Sequence, residues 1–222
     1  ASHVYKRQDT IHIHAFSPLE ISHGANCANT DVKSYLLKLK EAGLNSLPGT
    51  AAEILDDNVR EIICPDKINT NEWLNVIKAA HSIGLPTTST MMFGHVENYY
   101  DIAQHMHELK SLQLQSNEIT EFVPLPYVAS EAPMYLRGLS RSGPSFRESV
   151  LVHSISRIYF NESIKNIQGS WVKMGYAGLS YLLDSGINDV GGILMNETIT
   201  RSAGATHLSL IHISEPTRPL YI

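Results

Sequence analysis

Two histidines that share one side of an apolar segment are the first residues whose spacing suggests chemistry. His12 and His14 alternate with Ile11 and Ile13 near the start of the chain. Because side chains alternate along a strand, this spacing predicts a buried strand that carries both imidazoles on one face. Two imidazoles so placed could bind zinc or a similar ion. The alternative, which we favour, is that both rings form hydrogen bonds inside the fold without a metal.

A metal-binding histidine pair would need further ligands from later strands, and the sequence supplies these incompletely. His95 follows a predicted strand and could contribute a third imidazole. The last predicted strand ends in Asn196 and Glu197 rather than in the aspartate typical of such sites. A metal-dependent hydrolase therefore stays open as an alternative function.

Two carboxylates, Glu53 and Glu97, also follow predicted strands. Each could bind an ammonium group or act in acid–base chemistry, or could instead complement the dipole of a helix first turn. Arg60 either pairs with Glu53 or is solvated. Gly94, which precedes His95, predicts either a close approach of the backbone to a ligand or a plain turn.

Trp171 and Lys173 lie close to the end of the fifth predicted strand. They could stack on a substrate and hydrogen-bond to it, although the spacing of Trp171 favours core packing. Cys27 and Cys64 are far apart and lack a catalytic context, so we expect unreactive thiols. No catalytic residue can be assigned from these patterns.

All of these groups depend on a repeated unit of a short strand followed by a helix. The strands are predicted at residues 11–16, 44–47, 87–93, 119–125, 167–172 and 190–195. Helices are predicted at residues 32–42, 71–82, 98–112, 145–159 and 175–184, with a helical turn at 51–55, a loop at 22–29 and a long loop at 127–144. Six such units predict an α/β fold, namely a (β/α)8 barrel of which the third to eighth units are present. In such a barrel we expect the functional groups at the carboxyl ends of the strands. The alternative is an open doubly wound sheet, for which the sequence has no Gly-x-Gly-x-x-Gly turn.

The composition excludes several classes of protein. The 222 residues are 43% hydrophobic and carry a net charge of −5, which argues against nucleic-acid binding. No apolar run approaches the thickness of a bilayer, and two cysteines are typical of the reducing cytoplasm. Residues 208–218 resemble the translation of a sequencing-library adapter, so we expect a domain over 1–207 and a non-native tail over 208–222.

Six segments, taken together and in order, resemble the radical S-adenosylmethionine (SAM) superfamily. Within it they are most similar to the FO synthase subunit that uses tyrosine in deazaflavin biosynthesis. The segments are His12–Pro18, Pro48–Leu55, Ile63–Lys67, Met92–Glu97, Glu121–Leu125 and Asn166–Lys173.

This resemblance implies a reaction and its components. A four-iron, four-sulfur (4Fe-4S) cluster reduces SAM to a 5′-deoxyadenosyl radical, which activates L-tyrosine. The 4-hydroxybenzyl group is then joined to 5-amino-6-(D-ribitylamino)uracil. The implied partners are FO synthase subunit 1, which closes the deazaflavin ring, and an electron-donor protein.

The resemblance also implies two groups of binding residues. Those expected beside SAM are Asn45, Glu53, Gly94, His95 and Glu97. Those expected around the substrates are His12, His14, Trp171, Lys173, Asn196 and Glu197. Asn45 stands where relatives usually have an aspartate, which leaves its contact with the SAM ribose open.

The main departure from this superfamily is a missing motif. The cluster-binding Cys-x-x-x-Cys-x-x-Cys is absent from the chain. We expect it upstream of Ala1, in the two units missing from the count, so that this chain is a truncated reading frame without activity of its own. The alternatives are a sister enzyme of the futalosine menaquinone pathway, the hydrolase built on His12 and His14, and an incomplete barrel without any activity.

Overall fold

A computed structural model describes residues 11–191 and 199–205. The predicted tail at 208–222 and the predicted substrate-binding residues Asn196 and Glu197 lie outside the described residues. Within the described ranges, no helix is long and apolar enough to cross a membrane.

Parallel strand segments follow one another around the structure in chain order. Residues near His14 and Ser46 form a parallel bridge, and Leu47 forms another with Thr87. The sheet then continues as β1 (Thr87–Phe93), β2 (Ile119–Pro126), β3 (Asn166–Gly169) and β4 (Asp189–Val190), each pairing in parallel with the next. Six parallel segments in sequential order match the six predicted strand–helix units and the barrel topology that they imply.

Helices alternate with these strands. They are α1 (Pro18–Cys27), α2 (Val32–Glu41), α3 (Asp57–Ile63), α4 (Thr70–Ser82), α5 (Tyr99–Ser116), α6 (Pro133–Leu136), α7 (Phe146–Phe160), α8 (Trp171–Leu183) and α9 (Ile199–Ser202). Side chains that accept backbone N–H groups start most of the long ones, as Asn98 does at α5, where it accepts from Tyr100 and Asp101. The predicted helices at 32–42, 71–82, 98–112 and 145–159 are thus confirmed within a few residues.

The hydrophobic core lies between the sheet and the helices. Phe122 on β2 is fully buried and packs edge-on against Phe160 of α7, with ring centroids 4.9 Å apart. Ile167 on β3 belongs to the same core. Because side chains alternate along a strand, the neighbours Glu121 and Gln168 point to the opposite face, toward the barrel interior.

The predicted loop at 22–29 is wrong, since α1 covers Pro18–Cys27. Ser17 accepts the backbone N–H of Glu20, and the Glu20 carboxylate accepts that of Ser17, which completes a capping box. Ile21 and Ala25 are then buried on one face of the helix. Capping and burial together outweigh the low helix propensity of a segment rich in Ser, His, Gly and Asn.

The opening segment is not the buried strand that alternation predicts. His12 and His14 are both exposed, and among the described residues this segment joins the sheet through the bridge from His14 to Ser46. Within the described chain, these residues have a sheet neighbour on one side only. Solvent therefore reaches the face that the alternation pattern assigns to the interior.

Two element boundaries near the predicted site also differ. Residues 51–55 form turns and bends rather than a helical turn, and Glu53 has a φ of 49°. The predicted strand at 167–172 ends at Gly169, and Trp171 begins α8. Trp171 and Lys173 therefore lie in the first turn of a helix, which breaks at Gly175, where φ is 66°. Most of the strand predicted at 190–195 lies outside the described residues.

Candidate functional site

A cavity of about 490 Å³ opens at the carboxyl ends of the strands; we call it the central cavity. One side is formed by the turn after the second strand segment, and the other by β3 and the start of α8. It is lined by Thr50, Ala51, Glu53, Thr90, Leu125, Gln168, Ser170, Trp171, Val172, Lys173, Gly191, Ile199 and Thr200. The lining combines hydroxyl groups, an aromatic ring and charges of both signs, which suits a polar aromatic ligand.

Glu53 is held at the wall of the central cavity by its side chain and its backbone. Its carboxylate accepts a hydrogen bond from Nζ of Lys67 at 2.8 Å, and its carbonyl accepts the N–H of Met92 at 2.9 Å. The Glu53 side chain is 18% exposed, so the ion pair is partly screened. The ammonium group of Lys67 is thus already bound to one oxygen of this carboxylate.

Arg60 is buried and supports the same turn without pairing with Glu53. Its guanidinium donates to the carbonyls of Ala52 and Ile68. From behind the turn, Nδ1 of the buried His105 accepts the N–H of Leu55 at 3.0 Å. Complete burial lowers the pKa of His105 to about 3, so the ring is neutral and Nδ1 keeps the lone pair that this bond requires.

The segment from Gly94 to Glu97 folds back on itself at the end of β1. The Glu97 carboxylate is buried and accepts the backbone N–H groups of Gly94 at 2.6 Å and His95 at 2.8 Å. Nε2 of His95 donates to the carbonyl of Met92 at 2.9 Å, and its Nδ1 accepts the N–H of Val96 at 2.8 Å. Burial lowers the pKa of His95, and the Glu97 carboxylate, 3.0 Å from its Nδ1, opposes this shift. His95 and Glu97 therefore order this loop, and neither lines the central cavity.

The close approach predicted at Gly94 is to another part of the chain. With φ at 98°, an added Cβ would lie 2.2 Å from Cδ of Pro144. Pro144 belongs to the long loop predicted at 127–144. Gly94 is thus required for packing between the end of β1 and this loop.

Arg141 joins the long loop to two carboxylates. Its Nη2 lies 3.0 Å from Oε1 of Glu97 and 2.6 Å from Oε1 of Glu148. Ser145 accepts the N–H of Glu148, whereas the Glu148 side chain binds Arg141. No pattern in the sequence indicates the pairing of Arg141 with Glu97, because 44 residues separate them along the chain.

The long loop also contributes to a second cavity of about 380 Å³, which we call the outer cavity. Tyr127, Gly143 and Pro144 line one side of it, and Val172 and Lys173 line both cavities. The loop therefore lines a cavity that shares two residues with the central cavity.

His12 and His14 converge on a single hydroxyl group. Nε2 of His12 and Nδ1 of His14 each lie 2.7 Å from Oγ of Ser46. The hydroxyl can donate to one ring and accept from the other. Burial, followed by the charge of His12, lowers the pKa of His14. This pairing supports the interpretation without a metal.

Asn45 binds the neighbouring segment through its side chain. Its Oδ1 accepts the N–H of Ile13 at 2.8 Å. Asn45 and the two histidines do not line the central cavity, whereas Glu53, Trp171 and Lys173 do. Trp171 is also 3% exposed and stacks with Tyr176, so it is both a core residue and a wall of the cavity.

The sequence patterns did not indicate three residues of the barrel interior. The side chains of Glu121, Gln168 and Asp189 form hydrogen bonds across β2, β3 and β4. Burial, together with a hydrogen bond to Asp189, raises the pKa of Glu121 to about 8. The alternation of Glu121 with Phe122 could have indicated an inward carboxyl group, but not its partners.

The chain cannot hold a three-cysteine cluster by itself. It contains two cysteines, of which Cys27 is exposed and Cys64 is buried. Among the described residues, no group of three or more His, Cys, Asp or Glu side chains could hold a metal ion. These residues do not fit an iron–sulfur cluster, and they offer the hydrolase alternative no metal site. For SAM, the described residues offer one carboxylate at the central cavity, that of Glu53, which is paired with Lys67.

Comparison with known proteins agrees with the barrel. The fold superposes on methylornithine synthase with a TM-score of 0.58 and 19% sequence identity. The superposition covers 74% of this chain and 45% of that protein. Residues 4–109 match the model of the radical SAM superfamily. The fold and the matched residues define a radical SAM protein.

The second half of the chain gives the family more closely. Residues 116–213 match the model of the CofH/MqnC C-terminal region. The chain therefore belongs to the radical SAM superfamily, in the family that carries this C-terminal region.

Several relatives are similar over most of the chain. A 5-amino-6-(D-ribitylamino)uracil–L-tyrosine 4-hydroxyphenyl transferase of Methanocaldococcus jannaschii is 50% identical over 92% of this chain and 57% of its own length. The enzyme of the same name from Methanococcus aeolicus is also 50% identical, over 89% of this chain and 54% of its own length. An FO synthase of Nocardia farcinica is 46% identical over 96% of this chain and 24% of its own length. The chain thus spans little more than half of the transferases.

Proposed function

We propose that this chain is part of a radical SAM transferase of deazaflavin biosynthesis. The enzyme would join the 4-hydroxybenzyl group of L-tyrosine to 5-amino-6-(D-ribitylamino)uracil. The similarity to transferases named for this reaction supports the proposal. The observation that carries it is that one cavity is lined both by Glu53 and by Trp171 and Lys173.

The lining of the central cavity suits the components of this reaction. Glu53 is expected to hold the ammonium group of SAM, which when bound is the source of the adenosyl group. Trp171 offers an aromatic face for tyrosine or the pyrimidine, and Lys173 offers a cation at the far side. Leu125 and Val172 add apolar surface to the lining, which would limit the access of water to the reacting groups. The cluster is not supplied by the described residues, so no step is assigned to it.

The resemblance also suggests partners and a compartment. FO synthase subunit 1 would consume the product, and an electron-donor protein would reduce the cluster. We place the enzyme in the cytoplasm, because its two thiols are unpaired.

Binding and turnover test this proposal. Calorimetry of the purified chain with SAM, tyrosine and the ribitylaminouracil should show saturable binding that Trp171→Ala weakens about tenfold. Full-length enzyme that contains this chain should consume tyrosine and the ribitylaminouracil together, followed by mass spectrometry. Consumption of neither substrate by a cluster-loaded enzyme would contradict the proposal.

A sister enzyme of the futalosine menaquinone pathway is the second candidate, because the matched C-terminal region is shared by CofH and MqnC. The same turnover assay separates the two. Consumption of a futalosine-type substrate without tyrosine would favour the sister enzyme.

A further inference from the structure

A row of three polar side chains crosses the floor of the barrel interior beside the central cavity. Gln168 on β3 donates from Nε2 to Oε1 of Glu121 on β2 at 2.8 Å. Glu121 also shares a hydrogen bond with Asp189 on β4. Asp189 in turn accepts the N–H of Val190 through Oδ1 at 2.7 Å. Only Gln168 of these three lines the central cavity.

The donors and acceptors of this row can be assigned from its ends. Two carboxyl groups that share a hydrogen bond need one proton between them, and Glu121 donates to Asp189 if it holds that proton. Its raised pKa agrees with this assignment. The other oxygen of Glu121 accepts from Gln168, and this bond fixes which end of the Gln168 amide is Nε2.

The other end of the same amide lies at the cavity wall. Oε1 of Gln168 is 3.0 Å from the position that a Cβ on Gly191 would occupy. Gly191 lines the central cavity as well. Because Gly191 has no Cβ, the space beside this oxygen is open. The Cβ of any other residue would make a close contact with the oxygen.

We propose that Gln168 is a substrate-positioning and specificity residue whose Oε1 accepts a hydrogen bond from an N–H group of the ligand in the central cavity. Glu121 and Asp189 are positioning residues that keep the amide turned with its oxygen toward the ligand. A ligand that presents an oxygen acceptor at this point is rejected, because two acceptors would face each other. This inference rests on the proposed function, from which the ligands are taken.

The proposed substrates offer two sources of such an N–H group. The pyrimidine has ring N–H and amino groups, and tyrosine has an ammonium group. Both share the chemistry that an amide oxygen recognises. The ligand whose affinity depends on Gln168 identifies the source.

Four variants of the purified chain test the assignment by calorimetry with tyrosine and with the ribitylaminouracil separately. Gln168→Met keeps the size of the side chain but removes the oxygen. Glu121→Met releases the amide of Gln168. Glu121→Gln retains the pattern, because its Nε2 can donate to Asp189 while its Oε1 accepts from Gln168. Gln104→Met, on helix α5 where Gln104 binds Glu108, is the matched control.

We expect Gln168→Met and Glu121→Met to bind one of the two substrates about five- to tenfold more weakly, the range for one lost hydrogen bond. Glu121→Gln and Gln104→Met should bind within about twofold of the parent chain. If the row only stabilised the fold through charge, Glu121→Gln would weaken substrate binding as much as Glu121→Met does.

Unchanged affinity of Gln168→Met for both substrates would overturn this inference and leave the proposed function standing. Equal weakening by Glu121→Gln and Glu121→Met would overturn the positioning role. If the folded parent chain bound neither substrate, this inference would be overturned. The proposed function concerns the whole enzyme and fails only if the cluster-loaded enzyme consumes neither substrate. Circular dichroism of each variant separates loss of binding from loss of folding. If Glu121→Met does not fold, the two single variants Glu121→Gln and Gln168→Met still test the inference.

Discussion

Nη2 of Arg141 lies 3.0 Å from Oε1 of Glu97, although 44 residues separate them along the chain. The Glu97 side chain is fully buried, whereas that of Arg141 is 40% exposed. Arg141 also donates its backbone N–H to the carbonyl of His95 at 3.0 Å. The long loop is therefore attached to the end of β1 through both its side chain and its backbone.

Replacing Arg141 by methionine should destabilise the protein by about 2 kcal/mol, because the buried Glu97 carboxylate loses its cation. The cost is below that of a fully buried pair, since Arg141 is partly exposed. Urea unfolding followed by circular dichroism measures the change. Arg137→Met, at an exposed position of the same loop, is the control and should change stability by less than about 0.5 kcal/mol. Equal effects of the two substitutions would argue against this role for Arg141.

Gly94→Ala should cost about 3 kcal/mol, because the new Cβ meets Pro144 at 2.2 Å and φ is 98°. Gly138→Ala is a matched control, since φ there is 72° but nothing lies within 4 Å of the added Cβ. The control should cost only about 1 kcal/mol, from backbone strain alone. Thermal or urea unfolding gives both values, and a similar cost at the two sites would contradict the contact with Pro144.

Glu121→Gln should change how stability depends on pH. The pKa of Glu121 is raised to about 8, so between its ordinary value of 4.5 and 8 the folded state binds more protons than the unfolded state. The stability of the parent chain should therefore fall as pH rises through this window. Glutamine cannot ionise, so the variant should lose less stability between pH 5 and pH 8.5. Parallel curves of unfolding free energy against pH would show that Glu121 does not titrate in this way.

His81 should produce the opposite slope at lower pH. Burial lowers its pKa to about 4, and its ring nitrogens lie 2.7 Å from Oγ of Ser116 and 3.0 Å from Oγ1 of Thr87. Between pH 6.5 and 4 the unfolded state binds the extra proton, so stability should fall as the solution is acidified. His81→Gln should flatten this part of the curve.

The strongest local patterns predicted their elements well. The β-branched run from Thr87 to Phe93 is β1 with the predicted bounds. The helix predicted at 71–82 is α4, which buries Trp73, Val76 and Ile77 on one face. These elements follow from side-chain periodicity and local propensity, which a single sequence contains. The prediction failed for α1, where a capping box and two buried contacts decide the structure of a polar segment.

The predicted site was only partly brought together. Glu53, Trp171 and Lys173 line one cavity, as their positions after strand segments suggest. His95 and Glu97 form hydrogen bonds within the loop that contains them both, where the Glu97 carboxylate accepts the N–H of His95. His12 and His14 bind Ser46. Proximity to a strand end places a residue near the site, but the direction of its side chain depends on partners elsewhere in the chain.

The sequence by itself determined the order of strand–helix units, the family resemblance and the absence of a three-cysteine motif from this chain. It did so because periodicity and residue identity are local properties. Only the tertiary structure decided that Arg141 pairs with Glu97 and that Gln168 is oriented by Glu121. Such pairs join residues on different strands and loops, and their geometry exists only when the sheet has brought those segments side by side.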